Sequence, residues 1–107
     1  MTVRTVIAGV PTEYSVDFSA NKLRSIAEVR TAADRRAQGR YEFYGARLTR
    51  YSGEQLQTTG AVQLEFDLQG ALVSKVPDVD ATQVEAIKTR SQLLRSHALA
   101  QQAARAH

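Results

Sequence analysis

Tyr14, Val16 and Phe18 alternate with Glu13, Ser15 and Asp17; Val62, Leu64, Phe66 and Leu68 alternate with Gln63, Glu65 and Asp67. A period of two puts successive side chains on opposite faces, so each run predicts a strand with one buried side. Thr2 to Ala8 is β-branched and mildly apolar, and the Gly9-Val10-Pro11-Thr12 break predicts a hairpin with the Tyr14 strand. Asp67-Leu68-Gln69-Gly70 has Asp first and Gly fourth, the composition of a type I turn followed by a glycine bulge. It predicts a second hairpin pairing Phe66 with Leu72, Leu64 with Ser74 and Val62 with Val76, because a one-residue slip would set Lys75 against Leu64.

Two stretches carry a helical period instead. The first opens on Ser19 as N-cap, with Phe18 and Leu23 placed as a hydrophobic staple, and runs to about Gln38. Its stripe would be Leu23, Ile26, Ala27 (or Val29), Ala33 and Ala37, with Gly39 as the left-handed residue that ends it. The second opens on Asp80, with Gln83 completing a capping box and Val79 and Val84 forming a staple. Val84, Ile87, Ser91, Leu94 and Ala98 make its apolar stripe, and Leu93 and Leu99 fall outside it. Acidic Asp78, Asp80 and Glu85 near its start and Arg95 and Arg105 toward its end suit the helix dipole.

Between them, Arg40 to Tyr51 reads as a strand that changes face: Tyr41 and Phe43 share one parity, Tyr44, Ala46 and Leu48 the other. Gly45 at the switch predicts a β-bulge or a short hairpin. Ser52 to Gly60 reads as a polar loop, the longest connection and the most mobile segment. The predicted order is ββαβββα, an α+β fold with an antiparallel five-stranded sheet and two helices packed on it, in a single domain over 1–100 with a frayed tail over 101–107. This order resembles, in topology, longin and roadblock-type domains; the resemblance implies an adaptor that dimerises through helix or sheet-edge contacts.

Composition narrows the class. With 107 residues, 43% hydrophobic and 23% charged, the chain suits one globular core. It has no cysteine, so disulfides and cysteine zinc sites are excluded. The start of the chain lacks the apolar run of a signal peptide, and no stretch reaches the roughly 20 apolar residues of a membrane span. A soluble cytoplasmic domain with no membrane association is expected.

Charge is segregated within a net +3. Residues 20–51 carry eight basic against three acidic side chains, and residues 52–80 one basic against five acidic. Arginine outnumbers lysine 11 to 3, a bias that suits bidentate recognition of carboxylate or phosphate but also follows from genomic base composition. His97 has no second histidine at helical spacing, so a packing or solvent role is expected, and His107 is the last residue. Glu65 and Asp67, about 7 Å apart by strand rise, could serve as an acid/base pair but equally form a solvated strand face. No nucleophile elbow, Walker A loop, dinucleotide fingerprint or His-Glu-x-x-His motif occurs, so no catalytic residue, metal or cofactor is assigned.

The leading expectation is a small non-catalytic protein–protein interaction domain of adaptor, inhibitor or immunity type, phage- or plasmid-borne or bacterial housekeeping, that also self-associates. Leu93 and Leu99 would form the interface, with Arg40, Tyr44, Arg47, Arg50 and Tyr51 as arginine and tyrosine anchors. The alternative is single-stranded nucleic-acid binding by the same strand, basic side chains on phosphates and tyrosines stacked on bases. A second alternative is a small enzyme with a dispersed active site.

Overall fold

The computed structural model describes residues 1–20, 22–54 and 61–105. Seven strands form one sheet: β1 (Thr2–Ile7), β2 (Val10–Ser19), β3 (Lys22–Ala32), β4 (Arg35–Tyr44), β5 (Arg47–Glu54), β6 (Ala61–Phe66) and β7 (Leu72–Val76). They lie in chain order, each antiparallel to the next, and the single helix among the described residues, α1 (Ala81–Arg105), crosses one face. The element order is therefore seven strands then a helix, not the ββαβββα of five strands and two helices expected above, and the likeness to longin and roadblock topology goes with it. The class remains α+β, with one covered and one open face.

The correction lies in residues 19–44. Ser19 ends β2 rather than capping a helix, and Lys22 to Tyr44 form the β3–β4 hairpin. Phe18 pairs with Leu23 while Asp17 pairs with Ser25, so Arg24 is an extra residue bulged out of β3. The bulge puts Leu23 and Ile26 on the covered face although they are three apart, which imitates a helical step. Beyond it the inward positions are Glu28 and Arg30, so the strand's own alternation is written in charged residues. Ala33 takes φ 54 at the β3–β4 turn, and Gly39 sits inside β4 opposite Gly53.

The strand expected over 40–51 is the end of β4 and the start of β5, joined by a tight turn at Gly45, where φ is 61. The hairpin option thus holds there, and a separate β5 bulge lies where Glu42 pairs with Arg50 but Phe43 with Leu48. Ser52 to Glu54 belong to β5; the rest of the expected loop, 55–60, lies outside the described residues, as does His107.

Other readings hold as made. Tyr14, Val16, Val62, Leu64 and Phe66 all face the core. Asp80 Oδ1 accepts from the Gln83 amide at 2.8 Å and Gln83 Oε1 from the Asp80 amide at 3.3 Å, the reciprocal capping box. Val84, Ile87, Ser91, Leu94 and Ala98 are all buried on the sheet, and Val79 is buried beside them. The Asp67 turn forms as expected, its Oδ1 accepting from the Gln69 and Ala71 amides at 2.9 Å. Phe66 pairs with Leu72 as expected, but beyond that pair the register differs: Glu65 pairs with Ser74, Leu64 with Lys75 and Gln63 with Val76, one residue away from expectation. A bulge at Val73 causes the slip.

Candidate functional site

Polar chemistry concentrates first under α1. Glu28 is 2% exposed and Arg30 and Arg90 are each below 10%. Arg90, one turn from the Ile87 contact, sends Nε to Glu28 at 2.8 and 3.2 Å, one terminal nitrogen to Thr12 Oγ1 at 2.8 Å and the other to the Ile7 carbonyl at 3.3 Å. Arg30 Nε stands 2.9 Å from Glu28 Oε1, an ion pair without hydrogen-bond alignment, and its fork donates to the Glu54 carbonyl at 2.8 Å. One carboxylate and two guanidiniums thus tie β1, β2, β3, β5 and α1 together. All of these contacts are internal to the fold.

Beside this cluster Tyr41 and Tyr51 pack with ring centroids 4.9 Å apart. Burial, and then the nearby Glu28 carboxylate, push the Tyr41 hydroxyl well above its usual value. In the unfolded chain it ionises near pH ~10. The unfolded state therefore gives up this proton first, so the contribution is fully present below about pH 10 and is lost as pH rises from there. Urea midpoints should fall between pH 8 and pH 11, and Tyr41→Phe should fall less than the parent; an equal fall in both would refute the role of this hydroxyl.

The structure separates the residues expected to bind. Arg40 and Arg50 lie on the open face: Arg40 donates to Ser25 Oγ at 3.4 Å, and Arg50 stands between Glu65 at 3.4 Å and Glu42 at 3.9 Å. Tyr51 lies on the other, helix-covered face and is fully buried, so it is no surface anchor. Tyr44 is exposed at the end of β4, and exposed Arg47 holds the Leu68 carbonyl at 2.7 Å. Leu93 projects outward from α1, while Leu99 packs against the core. His97 bonds the Tyr14 hydroxyl through Nδ1, a packing role. Glu65 is engaged by Arg50 and Asp67 by its own turn. No group of three metal-ligating side chains occurs among the described residues.

Sequence reasoning missed the last strand of the sheet as a surface. All five residues of β7 are exposed; Val73 and Val76 are about 60% exposed, and Leu72 and Leu68 add to the patch. Natural edges are commonly guarded by a lysine. Here Lys75 folds back on its own chain, with Nζ 2.8 Å from Asp78 Oδ1 and 3.0 Å from the Val79 carbonyl. The signal was present in the sequence: Leu72-Val73 and Val76 are apolar on both parities, which one buried face does not require.

Comparison with family models, with curated proteins and with solved structures returns no match to this chain. Among the described residues no helix is long and apolar enough to cross a membrane.

Proposed function

We propose that this chain is a small non-catalytic protein–protein interaction domain that captures an apolar, extended segment of another protein along β7. One observation carries the reading: an edge strand whose outward backbone has no strand partner among the described residues also exposes Leu72, Val73 and Val76. Strand addition uses those two resources, main-chain hydrogen bonds for affinity and alternate side chains for selectivity. The charges beside the edge are already paired, Arg50 with Glu65 and Lys75 with Asp78, so the edge offers backbone and apolar surface rather than charge. That argues for an uncharged apolar strand as the partner. The nucleic-acid alternative draws less support, since Tyr41 and Tyr51 face α1 while Arg40 and Arg50 face the opposite way.

A photo-crosslinking residue at Val73, expressed in the native host, should give discrete protein adducts. The same residue at Thr31, exposed in β3 on the far side of the sheet, should give none. No adduct from Val73, or equal adducts from both positions, would overturn the reading.

A further inference from the structure

The opposite edge of the sheet, β1, is built differently from β7. Thr2-Val3-Arg4-Thr5-Val6-Ile7 pairs with β2 residue for residue with no bulge, and it contains neither glycine nor proline. Its only charge, Arg4, leans onto its own sheet, with Nε 3.3 Å from Glu13. The strand turns into β2 through two residues, Ala8 and Gly9, both at positive φ (52 and 78), so Ile7 and Val10 form the closing pair that exchanges both backbone bonds. By alternation Ile7, Thr5 and Val3 direct their backbone groups to β2, and Arg4 and Val6 direct theirs to the outer edge of the sheet, where no strand pairs with β1 among the described residues. The bond from the Val16 amide to the Met1 carbonyl continues the same parity.

We propose that β1 pairs with β1 of a second copy, antiparallel about a two-fold axis through Thr5, joining two seven-stranded sheets into one. About that residue the inward positions Val3 and Ile7 are both aliphatic, and the outward positions pair Arg4 with Val6 rather than charge with charge. Val3 would meet Ile7 of the partner subunit on the helix-covered face, twice, extending the core across the junction. Thr5 would meet its own copy on the axis, a favourable cross-strand pair in the close, non-hydrogen-bonded position. On the open face Arg4 would meet Val6 of the partner subunit, and these two exchange both backbone bonds. Val6, now 63% exposed, would be covered by the arginine's aliphatic stem. No like charges stand opposite each other in this register. The interface is isologous and closes at two, and β7 takes no part in it, so the dimer would carry two free β7 edges at its far ends.

Sedimentation equilibrium of the purified chain over a concentration series tests this, with Val6→Arg and Val6→Glu beside the parent. The parent mass should rise from 11.8 kDa toward twice that value and no further. Val6→Arg, which sets arginine against Arg4, should raise the dissociation constant at least about tenfold, and Val6→Glu should lower it. The side chain is exposed, so both variants should keep the parent circular dichroism. A monomer at every concentration, growth beyond the dimer, or one dissociation constant for both variants would each overturn the proposal while leaving the Val73 crosslinks to judge β7 separately.

Discussion

Glu28→Ala is expected to lower stability by about 3–5 kcal/mol, since it leaves the Arg30 and Arg90 guanidiniums buried without their counter-charge. Small domains are stable by roughly 5–15 kcal/mol in all, so the variant should populate the unfolded chain at room temperature or lose a large part of its urea midpoint. The loss comes from stranded charge, not from a missing attraction. That distinction has its own test: Glu28→Leu combined with Arg30→Met and Arg90→Leu removes all three ions with their desolvation penalty. The triple variant should recover most of the lost stability, as apolar replacements of buried ion clusters commonly do. Recovery would show that the cluster fixes how α1 sits on β1–β3 more than it stabilises the fold. A Glu28→Ala midpoint within about 1 kcal/mol of the parent would mean water reaches the two arginines.

That same cluster explains why the β3–β4 hairpin is illegible in the sequence, although the β1–β2 hairpin before it is not. Strand periodicity is recognised by apolar residues recurring every two positions, and β3 interrupts it twice. Arg24 bulges out, so Leu23 and Ile26 share a face at a helical spacing. Glu28 and Arg30 then occupy the inward positions that a reader of hydrophobicity assigns to solvent. Ala33 and Ala37 completed an apparent stripe, although Ala33 stands at a turn. From Ala37 through Gly39 and Tyr41 to Phe43 the alternation is regular. Gly39 interrupts it for a reader of the sequence, because a glycine after an apparent helical stripe has the signature of a helix stop.

What could be read was what local chemistry decides. The capping box, staple and stripe of α1 lie within 20 residues of one another, and its apolar buried members Val84, Ile87, Leu94 and Ala98 are legible with Ser91, whereas buried Arg90 is not. The β6–β7 turn was equally local, but the register after it was argued from a covered face. At the edge that argument fails, because Lys75 opposite Leu64 simply extends to Asp78 and Val79. The arginine and tyrosine concentration over 40–51 was visible as composition. Which of its members share a surface was not, because the turn at Gly45 and the β5 bulge beside it divide them among the open face, the core and the β4–β5 tip.

The central pairing of β4 with β5 gives the second large effect. Gly53 stands opposite Gly39, and a Cβ at Gly53 would fall 2.6 Å from both the Gln38 carbonyl oxygen and the Gly39 Cα, and 2.8 Å from the Tyr51 hydroxyl. Two of those neighbours are backbone of the adjacent strand, so the methyl group fits only if the two strands part. Tyr51 has little room to yield, being fully buried against Tyr41 with its hydroxyl 3.4 Å from the Glu54 carbonyl. Gly53→Ala is expected to cost about 3 kcal/mol, at the upper end for an overpacked site. Gly39→Ala is the control, since its Cβ would meet no backbone and nothing nearer than 3.2 Å: Tyr51 Cε1 at 3.2 Å, the Tyr51 hydroxyl at 3.4 Å and Tyr41 Cε1 at 3.7 Å. It should cost well under half as much, about 1 kcal/mol. Urea midpoints with near-ultraviolet circular dichroism of the tyrosines read both variants. Equal losses at the two glycines would place the constraint in the tyrosine ring rather than in the approach of the strands, and with it would fall the account of why β5 carries a glycine opposite Gly39.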